Sequence, residues 1–326
     1  MVSVVFLGLM LTMSVVVGLM VSNWFLIVLL MEVGLLTVVF MCFDYKLLSQ
    51  VSACVKYFLI QSLSSMLLFL IGLLVVFYSE LTFLSHMLFV SAMSLKLGVA
   101  PLHFWVLPTT RLLPYTLIGI IGSPLKILPL CIFSGYYSFH FAVGDVFWVT
   151  TLWLSLYSML TGMFLGLGAT SLREALGASS ITHTGWFLLS FQGGSTISYF
   201  ILYSISLLQL VVFLLSQSSY LISMSLLGLG GLPPFSIFVG KLAVLYSCLS
   251  GYLSFGFLIP VVVTSAISLY YYMKFSFLFY LSSHHDGMRF SYPSLLFVGL
   301  NMSLGFCVLL FFYGRVGNSF LIYARI

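Results

Sequence analysis

The sequence predicts an all-α membrane protein with about eleven transmembrane helices, a prediction that rests on three observations. Of the 326 residues, 62% are hydrophobic and only 5% charged, with a mean hydropathy of +1.23. An ordinary soluble domain carries about 25% charged residues. The apolar residues gather in runs of about twenty, the length that crosses a bilayer as a helix. Most of the charges fall between those runs. No water-soluble fold of this size could cover itself with so few charges. Lipid-exposed backbone must satisfy its own hydrogen bonds, which leaves helices or closed barrels, and these runs are too long and too uniformly apolar for barrel strands.

In chain order the runs occupy residues 2–21, 23–43, 57–78, 82–106, 114–136, 146–168, 173–191, 196–216, 222–249, 252–273 and 293–313. The connections are short, so residues 1–326 read as one polytopic membrane domain without a soluble domain or linker. The first run starts at once and has no basic flank or Arg-rich amphipathic stretch, so no cleaved leader is expected. Cys42, Cys54, Cys131, Cys248 and Cys307 stand apart in apolar surroundings and are read as isolated buried thiols. The net charge of +5 is scattered and includes no Lys/Arg run, so a nucleic-acid surface is not expected and the lipid bilayer is the implied partner.

The loop charges orient the chain. With eleven spans, Lys46, Lys56, Arg111, Arg173, Lys274 and Arg289 fall on the N-terminal side. Glu80, Asp145 and, in the tail, Arg315 and Arg325 fall opposite. This bias places the N-terminus on the electrically negative side. Lys56 and Lys274 read as snorkelling from helix ends.

Four charges remain inside or beside the spans: Glu32, Lys96, Lys126 and Lys241. Each would cost at least about 2.5–3.5 kcal/mol at the bilayer centre unless it faced protein, water or a partner. Proline and glycine cluster around the lysines. Lys96 is followed by "GVAP", Lys126 sits in "GSPLKILPL", and Lys241 follows "GLGGLPPFSIFVG". These residues break helices, and broken helices at membrane depth line wet or protein-packed cavities. A phosphate cradle is excluded for "GLGGLPP", which lacks both a G-K-[ST] ending and a preceding strand. The fourth and ninth spans both combine a break with a lysine and lie five spans apart, which inverts the second copy. That pattern predicts inverted repeats over 1–140 and 145–281, followed by an extra C-terminal helix at 293–313. The corresponding second and seventh spans carry Glu32 and His183.

Five stretches carry a family resemblance: "NWFLIVLLMEVGLL" (23–36), "KYFLIQSLSSMLL" (56–68), "LKLGVAPLHFW" (95–105), "ASSITHTGW" (178–186) and "LLGLGGLPPFSIFVGKL" (226–242). In that order they resemble the subunit-two family of mitochondrial NADH:ubiquinone oxidoreductase, respiratory complex I, in its short animal form. The resemblance weakens after about residue 250. It implies an antiporter-like fold of two inverted five-helix bundles with broken helices. It also implies a multi-pass place in the mitochondrial inner membrane, with the N-terminus toward the matrix and the C-terminus toward the intermembrane space. The implied function is proton translocation as a subunit of the NADH:ubiquinone reductase, beside other complex I membrane subunits. NADH, FMN, iron–sulfur clusters and ubiquinone would then be handled elsewhere in the parent complex, with no cofactor or metal bound by this chain.

Carried over residue by residue, the resemblance makes Glu32 the membrane glutamate, Lys96 its lysine partner, Lys126 the bridging lysine and Lys241 the lysine of the second broken helix. His103 and His183 become relay histidines. There are departures. Pro124 and Leu125 stand where the family has Trp-Gln, Glu174 replaces a basic residue after Arg173, and Thr109 stands where a glutamate is usual.

The chemistry points the same way. A lysine in low dielectric sheds its proton more readily and a neighbouring carboxylate restores it, while histidine titrates near neutrality. His284, His285 and Asp286 are adjacent instead of at ligand spacing, and read as a solvated turn. Two other functions fit the composition: a sodium–proton antiporter subunit with the same fold, and a structural membrane anchor.

Overall fold

The structure is a computed structural model, described here for residues 2–43, 47–78, 83–140, 146–233, 235–250, 255–285, 298–303 and 305. Among these residues the regular structure is entirely helical. In order the helices are α1 (Val2–Met20), α2 (Trp24–Phe43), α3 (Leu48–Tyr78), α4 (Phe83–Leu97), α5 (Val106–Leu112), α6 (Tyr115–Gly122), α7 (Pro124–His140), α8 (Val146–Leu167) and α9 (Leu172–Ser190). A 3-10 turn (Phe191–Gly193) leads to α10 (Thr196–Leu215), α11 (Ser219–Gly230), α12 (Ser236–Ser250) and α13 (Phe255–His285). Among the described residues, six segments are long and apolar enough to cross a membrane: Trp24–Phe43, Leu48–Phe77, Tyr115–Ser138, Phe147–Leu167, Thr196–Leu215 and Gly256–Ser282.

The chain divides into two compact units, Met1–Leu188 and Leu189–Ile326. In the first, α1 packs on α2, α2 on α3 and α3 on α4, and α7 contacts α1, α2 and α4. In the second, α11 runs along α13, and α10 packs against α11 and α12.

Polarity is arranged as a membrane protein requires. Large apolar side chains such as Leu48, Phe77, Met66 and Trp153 point outward, whereas Gln61, Ser64, Ser155, Thr184 and three lysines are buried. Without bulk water, the hydroxyls turn to their own helix. Ser64 Oγ donates to Gln61 O at 2.6 Å and Ser155 Oγ to Leu152 O at 2.6 Å, the back-bonding that lets serine sit inside a membrane helix.

Three expectations from the sequence are corrected. First, α3 begins at Leu48, so Lys56 lies well inside a helix, exposed on its outer face, and does not mark the helix end. The polar stretch before Lys56 is continued by the helix because its backbone bonds close locally. Second, α13 runs through His284 and His285, so their backbone is helical and not a turn; Asp286 lies outside the described residues. Third, Cys42 and Cys54 are not isolated thiols. They form a disulfide, because α2 and α3 fold back on one another and bring together residues 12 apart in sequence. Cys131 and Cys248 are free, and Cys307 lies outside the described residues, as does most of the 293–313 span.

Candidate functional site

The run at 82–106 does not cross as one helix. It stops at Leu97, where Gly98 takes φ +75°, a left-handed conformation open to glycine at little cost. The chain then turns through residues 98–105 and re-enters helix as α5. Stopping a helix strands the last carbonyls of α4, and each acceptor needs a donor. Ser94 O accepts from both Gly98 N and Val99 N, at 2.9 Å each. Leu95 O accepts from the Trp105 indole at 3.0 Å, and Lys96 O from the Gln61 amide at 3.3 Å. Gln61 and Trp105 belong to the "KYFLIQS" and "LHFW" stretches. Their role as caps of a broken helix was hidden in the sequence because the groups they serve are backbone atoms.

Lys96, in the last turn of α4, and Lys126, in the first turn of α7, line a common cavity of about 30 Å³ with Gln61, Tyr57 and Ser14. That is room for at least one water molecule. Lys126 follows the α6–α7 break at Ser123, and its Nζ is buried without a hydrogen-bond partner among the described residues. Pro124 opens α7, where its missing N–H costs nothing, and Pro129 is carried within the helix.

Glu32 lines a different space, a groove of about 530 Å³ between α2 and α3 with Asn23, Ser62 and Ser65. Its Oε1 is buried and makes no hydrogen bond among the described residues. Glu32 and Lys96 are not in ion-pair contact, although the carboxylate acts electrostatically on both Lys96 and Tyr57. Tyr57 packs against Trp105 with ring centroids 5.6 Å apart, and both line the lysine cavity. His103 lies in the turn after the break, where its carbonyl accepts from Val106 N at 2.9 Å. His183 is buried on α9. Neither histidine lines the lysine cavity.

At the mouth of α9, Arg111 Nε pairs with Glu174 Oε1 at 3.1 Å, and Arg173 lies over the Tyr115 ring at 5.0 Å. Glu174 also accepts from Thr170 N at 3.0 Å. The glutamate that departs from the family pattern is thus a helix-terminal acceptor with its own cation.

The second unit contains the other break. α11 ends at Gly230, Gly231 takes φ +84°, and α12 starts at Ser236. Gly231 N returns to Gly228 O at 3.1 Å and Leu232 N to Leu227 O at 3.3 Å, a glycine-terminated helix end. The Gly230 carbonyl is capped by Lys241 itself, whose Nζ donates to it at 3.0 Å. The opposite lip is fixed by Asn301, which was not anticipated because it lies far along the chain. Its Oδ1 accepts from Ser236 N and Ser236 Oγ, and its Nδ2 donates to Gln209 Oε1 at 2.7 Å.

A family model described as NADH:quinone oxidoreductase/Mrp antiporter, TM, matches residues 75–221, which hold Lys96, His103, Lys126 and His183. NADH-ubiquinone oxidoreductase chain 2 of Albinaria caerulea is 36% identical over 94% of this chain and 98% of its own length. The chain belongs to the NADH-ubiquinone oxidoreductase chain 2 family. Its fold is shared beyond the family. A chain of respiratory complex I from Thermus thermophilus superposes with a TM-score of 0.77 at 18% identity, over 93% of this chain and 78% of that one. A chain of the Mrp complex from a Dietzia species does so with a TM-score of 0.75 at 19% identity, over 82% of this chain and 59% of that one. The antiporter-like fold that the family resemblance implies is therefore the fold of this chain.

Proposed function

We propose that this chain is a proton-translocating membrane subunit of NADH-ubiquinone oxidoreductase in the mitochondrial inner membrane, built as two inverted repeats. The observation that carries this reading is the placing of three buried lysines, Lys96, Lys126 and Lys241, each beside a helix break. A buried ammonium is expensive, and a structural role would be served more cheaply by an apolar residue. Lysine is the cation whose proton can leave; arginine would hold it.

Within the first unit, Lys96 and Lys126 face one cavity large enough for water. Two ammonium groups around so small a space repel each other, and a water between them offers a path for a proton from one nitrogen to the other. Glu32 sets the field from outside that cavity, so a change in its distance or charge alters which nitrogen keeps the proton. His103 and His183 act as donors and acceptors on either side of this step. Lys241 repeats the arrangement in the second unit, with a carbonyl oxygen stabilising its ammonium. Redox chemistry takes place on other subunits, with NADH, FMN, iron–sulfur clusters and ubiquinone bound there. The N-terminus faces the matrix, in keeping with the Lys/Arg loop bias.

The Mrp likeness favours a second reading, a sodium–proton antiporter subunit of the same fold. Native electrophoresis of mild-detergent membranes separates the two. The chain is expected to co-migrate with NADH dehydrogenase activity; recovery in a complex without that activity would favour the antiporter.

A further inference from the structure

The helical residues 298–303 meet the second unit at the point where α12 begins. A helix start leaves its first N–H groups without partners inside the helix, and the residue before it normally supplies a side-chain oxygen. Here that residue is Phe235, and no residue from Gly231 to Phe235 carries a side-chain oxygen. α12 therefore cannot draw a cap from the chain that leads into it. The acceptor comes from 65 residues away: Asn301 Oδ1 accepts from Ser236 N at 3.3 Å and from Ser236 Oγ as well. A backbone N–H can only donate, so the oxygen of the Asn301 amide faces α12. Its nitrogen then faces α10, where it donates to Gln209 Oε1 at 2.7 Å. All three side chains are buried. An apolar residue at 301 would leave the Ser236 N–H orphaned in an apolar interior.

This contact bears on Lys241. Ser236 and Lys241 are five residues apart on α12, about 7.5 Å along its axis. The Lys241 ammonium reaches back over the break to the Gly230 carbonyl at 3.0 Å, packed so closely that a methyl group at Gly231 would lie 3.1 Å from it. An axial slip of α12 by one residue's rise, about 1.5 Å, stretches that contact past hydrogen-bond range unless the side chain repacks. We propose that Asn301 is a positioning residue for Lys241. Anchored on Gln209, it caps α12 and sets the reach of the Lys241 ammonium to the Gly230 carbonyl, so translocation through the second unit depends on the segment around residue 301. In the first unit the break after α4 is capped from nearer by, through Gln61 of α3 and Trp105 of the turn.

This inference rests on the proton-translocating reading above, and the test keeps the two apart. Complex purified from mitochondria carrying edited copies of the chain is reconstituted in liposomes, where NADH oxidation and proton translocation are measured together. Asn301→Leu keeps the branched shape and removes both hydrogen-bonding ends. Its coupled proton translocation is expected to fall about tenfold, the scale of one lost helix cap. Amide hydrogen exchange at Ser236 is expected to quicken. Asn301→Asp keeps the acceptor for Ser236 and is expected to recover part of the loss. Gln209→Leu removes only the anchor and is expected to show a smaller loss; it carries the test should Asn301→Leu not assemble. Ser303→Ala, at an exposed position, is expected to match wild type. The deciding comparison adds Asn301→Leu to Lys241→Ala, where it is expected to lower the residual protons per NADH no further, because both act through one group. A further loss there would overturn the positioning role. So would wild-type translocation in both Asn301→Leu and Gln209→Leu with Lys241→Ala impaired. A wild-type complex that oxidises NADH without moving protons would overturn the underlying reading.

Discussion

The two broken helices strand carbonyl groups in the same way and satisfy them differently. After α4 the acceptors are capped by neutral groups, the Trp105 indole and the Gln61 amide, so the Lys96 ammonium is left free to face a cavity shared with Lys126. After α11 the last carbonyl is capped by the lysine itself. Burial does not distinguish the two, since Lys96 is 8% and Lys241 7% exposed. The difference is where the lysine falls relative to the break. Lys96 precedes its break and belongs to the helix whose end it would have to cap; Lys241 follows its break and can reach back. The break before Lys241 supplies it with an acceptor, whereas the break after Lys96 supplies it with space. Lys96 must therefore draw its counter-charge from farther away, and Glu32 is the carboxylate that acts on it.

The largest effect should come from removing that distant charge. Glu32→Gln is expected to leave the complex assembled and to lower quinone-linked proton translocation by about 10²-fold or more, with Glu32→Asp retaining part of it. Proton uptake by reconstituted complex checks this. Wild-type translocation in Glu32→Gln would mean that Lys96 needs no carboxylate, and the contrast between the two breaks would lose its basis.

The two left-handed glycines sharpen the comparison. Gly98→Ala and Gly231→Ala should each cost about 1–2 kcal/mol for the forced backbone. Their neighbours differ, however. The new methyl at 98 would meet the Val106 side chain at 2.7 Å, whereas at 231 it would meet Lys241 Nζ at 3.1 Å. Both variants are expected to lower the unfolding temperature of the complex, but Gly231→Ala should also cut translocation per NADH among the molecules that remain folded. Equal ratios in the two variants would show that the Lys241–Gly230 contact is incidental.

A smaller effect is expected at the neutral cap. Gln61→Ala removes the donor to Lys96 O and should cost about 1 kcal/mol of stability, with a much smaller loss of translocation than Glu32→Gln. Thermal denaturation measured alongside pumping would detect this. A pumping loss as large as that of Glu32→Gln would place Gln61 in the proton path.

Most of this architecture was legible in the sequence. Ten apolar runs became helices or helix pairs near the expected places, because membrane burial imposes a length and an apolarity that a linear scan can read. The breaks beside Lys96 and Lys241 were legible at Gly98 and at Gly230–Gly231, since glycine and proline act locally. What escaped reading depends on tertiary approach. The donors Gln61 and Trp105, the Ser236–Asn301–Gln209 contact and the Cys42–Cys54 bond each join residues whose partners are backbone atoms or lie on another helix. The helical backbone at Lys56 and at His284 was missed because polar residues were read as ends, whereas a helix needs only its own hydrogen bonds to continue past them.

The central claim is that these buried lysines titrate and do not merely hold the fold. Lys241→Arg tests it most directly, because a guanidinium can still donate to the Gly230 carbonyl while keeping its proton throughout. The measurement is the number of protons translocated per NADH oxidised by the assembled, reconstituted complex. The account predicts normal assembly with that ratio clearly below wild type. A ratio equal to wild type would contradict it and make Lys241 a structural cap of α11.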